Sequence, residues 1–325
     1  MKRKPRKQYS GFLFIGDPHV QGRSPDFRCD DYPNVIIDKM DWCLDYCDRE
    51  GLLPILLGDL FDKPRDNPTW MLARLIEVFL GREVICIYGN HDCAEPVLTA
   101  HDSLTLLLKS GCLKLVSAAQ PWSGVVAGRD VMIGGSSYRE CIPEQMDWQY
   151  RKQGDLFAEQ PFGIWLTHHD IEMPGYESGR VTPFEIEGVD ILVNGHIHTR
   201  SGPVEAGDTT WFNPGNISRR SRSEKSKNQP PAVLRIDLRA NGYDCQYVEI
   251  PHDDFEDVFH KPAFNEEFVD GGSAFIAGLS ELQQRRTASG AGLKMFLEKN
   301  LGQFTDDVGD EIRSLAREVT GEAIV

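Results

Sequence analysis

Five short clusters of Asp, His and Asn are spaced through the first two hundred positions. They are Asp17 with His19 in IGDPHV, Asp59 in LLGDLFD, Asn90, His91 and Asp92 in YGNHD, His168 and His169 in LTHHD, and His196 with His198 in NGHIH. A mixture of imidazole nitrogen, carboxylate and amide oxygen suits Mn, Fe or Zn, and not the all-oxygen preference of Mg or Ca. Asp-x-His and His-x-His spacing puts both side chains on one side of an extended segment, where they can converge on one ion. Asp17, His19, His198 and a shared Asp59 would serve one cation; Asp59, Asn90, His168 and His196 would serve a second. With Asp59 in common the two ions would lie roughly 3.5–4 Å apart, the separation used in two-metal hydrolysis. A water between them becomes a hydroxide nucleophile near neutral pH, and the same cations neutralise charge developing on phosphate oxygens. A lone buried His is more often a core residue, and a lone Asp after a strand is more often a helix cap. Five clusters in series, each at the end of a predicted strand, point instead to one centre.

The elements that must position these groups follow from the apolar pattern. FLFI (12–15), LLPILL (52–57) and VICIY (84–88) read as buried strands, with helical periodicity over 34–50 and 69–80 between them. This β-α-β-α-β rhythm predicts a sheet with helices on its faces. Catalytic groups in such sheets collect beyond the carboxyl ends of the strands, on loops that the strands hold rigid. A second series follows at 125–128, 131–135, 163–167 and 190–195, and then at 209–213, 232–238 and 243–250. The later segments read mostly as antiparallel hairpins, with turn signals such as Asn241-Gly242. The character changes near residue 251. An acidic, irregular stretch leads into three segments of helical composition over 273–286, 290–301 and 305–319. The expected division is therefore a domain over 1–250, opening on a basic tail (1–10), and an acidic linker with a helical C-terminal appendage over 251–325. The appendage would serve packing, dimerisation or partner binding.

A net charge of −15 argues against a free-standing DNA-binding domain, because phosphate contacts need clustered Lys and Arg. Two local basic runs stand against that total, KRKPRK at 2–7 and RRSRSEKSK at 219–227. Eight cysteines are scattered with no C-x-x-C pair, and Cys43 and Cys47, one helical turn apart, read as buried free thiols. No apolar run approaches the ~20 residues needed to span a bilayer. The basic N-terminus leads into a segment carrying Asp17 and His19, not a signal peptide, so the expected location is the cytoplasm.

Taken together, Asp17-Pro18-His19, Gly58-Asp59, Gly89-Asn90-His91-Asp92, His168 and Gly195-His196-Ile197-His198 resemble the signature of the calcineurin-like metallophosphoesterase superfamily. The resemblance covers roughly residues 11–250. It implies an α/β fold, the two-sheet αββα sandwich, with the ligand assignments given above and two divalent ions, Mn in the first place. It also implies that His91 contacts the substrate phosphate and protonates the leaving oxygen, with Asp92 supporting it. His168 is the preferred fourth ligand because it follows its strand directly, with His169 in reserve. Within the superfamily the chain is similar to DNA repair nucleases of the SbcD type and their phage relatives, through Gly58–Asp62 (GDLFD), Asp102–Leu107 (DSLTLL) and the NPGNIS turn at 213–218. That narrower likeness implies a nuclease or phosphodiesterase acting on DNA, beside an SMC-like ATPase partner, and it allows a homodimer. Arg219 and Arg220 would grip substrate phosphates from the loop after His198. The alternatives are a small-molecule or nucleotide phosphodiesterase or phosphatase, and a non-enzymatic interaction module on the same scaffold.

Overall fold

A run such as Gly11-Phe-Leu-Phe-Ile15 is apolar at every position because both of its faces are covered. In the computed structural model, which describes residues 8–25, 28–146, 148, 160–220, 222–260 and 312–313, β1 (Gly11–Ile15) is buried throughout. Phe12 and Phe14 face one layer of the core, and Leu13 and Ile15 face another. α1 (Tyr32–Glu50) follows, with Pro33 in its first turn and Gly51 closing it in the left-handed conformation. β2 (Leu52–Leu56) pairs parallel to β1. α2 (Thr69–Phe79), β3 (Ile85–Cys86), α3 (Ser103–Lys109) and β4 (Lys114–Leu115) continue the rhythm, with β2, β3 and β4 parallel.

The second series opens with the hairpin of β5 (Trp122–Val126) and β6 (Arg129–Ser136), turned at Ala127 and Gly128 with φ of 48° and 81°. Positive φ at both turn residues matches the right-handed twist of the flanking strands. β7 (Phe162–Thr167), β8 (Ile191–Asn194), β9 (Ser201–Ala206) and β10 (Thr209–Asn213) come next, then α4 (Glu224–Asn228), β11 (Ala232–Leu238), β12 (Tyr243–Glu249) and α5 (Phe255–Val258).

Two six-stranded mixed sheets result, in the orders β12-β11-β1-β2-β3-β4 and β5-β6-β7-β8-β10-β9. The hairpins expected among the later segments are β9–β10 and β11–β12; β5–β6 is a further hairpin, and β6, β7, β8 and β10 are parallel neighbours. Their runs are apolar on both faces, as in the first sheet, which is the mark of a covered parallel strand. The layers are plain from the core. Leu13, Ile15, Leu52 and Leu56 pack under α1, α2 and α3. Phe12, Phe14, Leu53 and Ile55 meet Val131, Ile133, Ile164, Leu166, Ile191 and Val193 between the sheets. On the far side Met132, Trp165, Leu192 and Trp211 are covered by Ile142, Met146, Trp148 and the segment 171–189. The protein is thus an α/β sandwich of two sheets, and the clusters of interest leave the same edge of both.

The chain divides into two compact units, Met1–Lys261 and Pro262–Val325. The acidic stretch after β12 packs within the first unit: the Cys29 N–H donates to the Val258 carbonyl at 3.0 Å, and the Arg28 guanidinium lies over the Phe259 ring. The basic tail at 2–7 lies outside the described residues, as do the helical segments expected over 273–319 apart from Ile312 and Arg313, which are helical. No described helix is long and apolar enough to cross a membrane. All eight cysteines are free thiols, and Cys43 and Cys47 are buried in the layer under α1.

Candidate metal centre

Each ligand-type cluster leaves a strand through a sharp turn. Asp17, His19, Asp59 and His196 all have positive φ (43°, 48°, 47° and 73°), a region that non-glycine residues rarely occupy. Strain at four positions of one locality is typical of a functional site held by its surroundings. The surroundings here are backbone hydrogen bonds between the first two loops, His19 N–H to Asp59 O at 2.9 Å and Val20 N–H to Leu60 O at 2.8 Å.

The side chains converge from both sheets. His19 Nε2 lies 2.9 Å from His198 Nε2 and 3.7 Å from Asp59 Oδ2. His168 Nε2 lies 3.2 Å from the same Asp59 oxygen, 3.3 Å from Asn90 Oδ1 and 3.8 Å from Asp17 Oδ1. His196 Nδ1 is 2.9 Å from Asn90 Oδ1. Asp17, His19 and His198 form one group whose donor atoms lie within 4.8 Å of one another, and Asp59, His168 and His196 form another; Asp59 also groups with His19 and His91. Asp59 therefore stands between the two sets.

His168 and His169 part company at the end of β7. Ile164 and Leu166 face the inter-sheet core, and period two carries His168 to that same side, against Asp59. His169 goes to the other side, where its Nε2–H donates to the Glu140 carbonyl at 2.7 Å.

Several observations fit this pocket to cations. Asp17 Oδ2 and His19 Nδ1 are buried without a hydrogen-bond partner, a costly condition for polar atoms. The His168 Nδ1–H donates to the Leu57 carbonyl at 2.7 Å, which turns Nε2 toward Asp59 in the manner of metal-bound imidazoles. Burial works against a proton on His168, yet the Asp59 carboxylate outweighs it and raises the group to about 9, so this spot draws positive charge. Burial raises Asp17 to about 7. Burial, and then the Arg220 guanidinium, hold His19 well below the ordinary imidazole range, and burial followed by the charge of His168 takes His196 down to about 3. These rings present lone pairs. Glycines leave the room: a Cβ on Gly89 would run into Asp59 Oδ1 and would lie 2.6 Å from His168 Nε2.

The remaining site residues divide by role. His91 sits at the rim, its side chain 18% exposed, and its Nδ1–H donates to the Asp62 carbonyl at 2.8 Å. Asp92, expected to support His91, is fully buried, and its oxygens accept from Phe61 N–H at 3.0 Å and Gly89 N–H at 2.9 Å. It ties the Asp59 loop to the Asn90 loop, and the His91 ring is oriented by Asp62. Arg220 pairs with Asp62 Oδ1 at 2.6 Å, and that same oxygen is 3.9 Å from both His19 Nδ1 and His91 Nδ1. Arg219 is only 6% exposed; it donates to the Asp253 carbonyl at 3.1 Å and its guanidinium lies over Phe255. Asp62 is the site residue that sequence reasoning misses. It lies inside the GDLFD run, but nothing local signals that its carboxylate meets Arg220. Asp102, of the DSLTLL run, braces the loop after Asp92: its carboxylate accepts from Thr99 N–H at 2.8 Å and Arg65 Nε–H at 2.9 Å.

No curated protein matches the chain in sequence. Solved structures similar to it include a hypothetical protein from Thermus thermophilus (13% identity, TM-score 0.42, covering 74% of this chain and 100% of that one). A predicted phosphoesterase from Streptococcus pneumoniae is 11% identical, with a TM-score of 0.34 and coverage of 80% and 97%. A dimetal phosphatase from Danio rerio is 12% identical, with a TM-score of 0.39 and coverage of 74% and 97%. The family model for calcineurin-like phosphoesterases matches residues 11–200, the span that holds every side chain of the cluster, and the chain belongs to that family.

Proposed function

We propose that this protein is a two-metal phosphodiesterase that cleaves DNA, with manganese as the working ion. The observation that carries the choice of substrate is Arg220, held by Asp62 at 2.6 Å on the rim of the ligand cluster, at the head of a basic run that continues through Arg222, Lys225 and Lys227. A guanidinium in that place suits phosphate oxygens, which it can meet with paired, charge-assisted hydrogen bonds. The GDLFD and DSLTLL runs, similar to those of SbcD-type nucleases, support the same reading.

Asp17, His19, His198 and Asp59 would hold one ion, and Asp59, Asn90, His168 and His196 the other. Bound there, divalent ions supply Lewis-acid polarisation of the phosphoryl oxygens and acidify water. The chain's own residues do the rest. Leu57 O and Asp62 O fix the rings of His168 and His91. Hydrolysis adds water across the P–O bond, and the leaving oxygen gains a proton; His91, at the edge of the cluster, would donate it. Asp92 keeps the two ligand loops in register through Phe61 and Gly89. A second reading, hydrolysis of nucleotides or other small phosphoesters, is favoured by the net charge of −15.

The test is metal stripping by EDTA followed by Mn add-back, on labelled single- and double-stranded DNA beside bis(p-nitrophenyl) phosphate. Mn-restored DNA cleavage is the expected result. Turnover of the small ester with both DNAs left intact moves the protein to the second reading. Inactivity on all three with Mn, Fe and Zn overturns the hydrolase itself.

A further inference from the structure

A cavity of about 50 Å³ opens beside His198, and the residues that line it include four cations, Arg200, Arg219, Arg220 and Lys225. Among the described residues that line it there is no carboxylate, in a chain of net charge −15. Like charges gathered around one space repel unless an anion lies among them. Arg219 is only 6% exposed, and its Nε is buried without a hydrogen-bond partner, a donor that folding alone leaves unanswered. Arg220 is paired with Asp62 on the side of the ligand cluster, while Arg200 and Lys225 are placed without a carboxylate partner among the described residues. Arg200 stacks over the Tyr247 ring, and Lys225 reaches the Gly175 carbonyl at 3.3 Å. Ser223 and Ser226 add hydroxyls to the wall.

Size narrows the ligand. A single water needs roughly 10–15 Å³ of such space, so the cavity has room for a tetrahedral oxyanion. Its cationic lining suits negative charge. Its position narrows the ligand further, because His198 and Arg220 line the cavity and also belong to the metal-ligand cluster or its rim. An anion here and a phosphoester at the cluster are neighbours within one molecule.

We propose that this cavity binds the phosphate adjacent to the one being cut, so that the preferred substrates are esters carrying two phosphates on one sugar, as in a polynucleotide backbone. This rests on reading the centre as a phosphodiesterase.

Three dye esters test it with the Mn-loaded protein: the p-nitrophenyl ester of thymidine 5′-phosphate, the same ester with an added 3′-phosphate, and the 3′-(p-nitrophenyl phosphate) of thymidine with an added 5′-phosphate. At least one doubly phosphorylated ester is expected to exceed the singly phosphorylated one about tenfold or more in kcat/KM, the effect of one charge-assisted contact. Arg200→Gln with Lys225→Gln, two surface positions whose variant is checked by its melting temperature, is expected to bring that ratio toward one. Equal kcat/KM on all three esters overturns the proposal, as does a ratio that the double variant leaves unchanged. If no ester is turned over, the phosphodiesterase reading fails by itself, and calorimetric binding of thymidine 3′,5′-bisphosphate to the metal-free protein decides for the cavity. Binding weakened about tenfold by the double variant supports the site, and no measurable binding, or binding the variant leaves unchanged, overturns it.

Discussion

Asp59 and His168 leave different sheets, yet Asp59 Oδ2 stands 3.2 Å from His168 Nε2, at the centre of the ligand cluster. The same oxygen is 3.7 Å from His19 Nε2. One carboxylate thus serves histidines from both sets, and the cluster depends on it more than on any neighbour.

Asp59→Asn removes that charge while keeping the shape. Metal bound per chain should fall, and kcat/KM should fall by about 100-fold or more, beyond the range for outer positions around a metal. His169→Ala should stay within about threefold, because its ring bonds to Glu140 O away from the cluster. Metal content by mass spectrometry and rates on a small phosphodiester decide the comparison.

Gly89→Ala tests the room in the cluster. Its Cβ would collide with Asp59 Oδ1 and sit 2.6 Å from His168 Nε2. The expected cost is about 1–3 kcal/mol of stability with loss of metal uptake. Gly202→Ala has nothing within 4 Å of the added carbon and should change stability by less than about 0.5 kcal/mol. Denaturant melts with and without Mn give both readings.

Asp92→Asn and His91→Ala should separate support from chemistry. Both Asp92 oxygens accept backbone N–H groups, from Phe61 and Gly89. An amide would turn a donor toward one of them, costing about 1–3 kcal/mol and loosening two ligand loops. Its melting temperature and its rate should fall together. His91→Ala, at the partly exposed rim, should lose rate by about 100-fold with little change in melting.

Lys39→Met carries a pH signature. Lys39 is buried in α1, its ammonium donating to Ile217 O at 3.1 Å, and burial lowers it from 10.5 to about 7. Its folded value lies below its unfolded one, so the unfolded chain binds the extra proton between those pH values. The destabilisation is fully present below about pH 7 and is relieved as pH rises toward 10.5. At about 1.4 kcal/mol per unit, less the lost bond to Ile217, Lys39→Met should be more stable than wild type by about 2 kcal/mol at pH 6. The advantage should shrink steadily by pH 10. A difference that does not vary with pH refutes the assignment.

Much of this was legible in the chain itself. Runs such as FLFI and GIWLT declared covered strands, and the ligand types after each one declared the edge where they would gather. Short elements were not legible. β4 has two residues and β9 is buried only at Ser201, so neither carries enough periodicity to be read without its neighbour.

The amino-acid sequence determined the candidate ligands and their order, because those rest on residue type and on position after a strand. Tertiary structure alone decided which histidine of the pair at 168 and 169 joins the cluster, since alternation fixes the side only once the buried face is known. It also decided that Asp62 holds Arg220, that Arg219 is drawn inward to Asp253 and Phe255, and that Arg200 and the segment around Lys225 line one cavity beside His198. Those are meetings between segments far apart in the chain, and only packing brings them together.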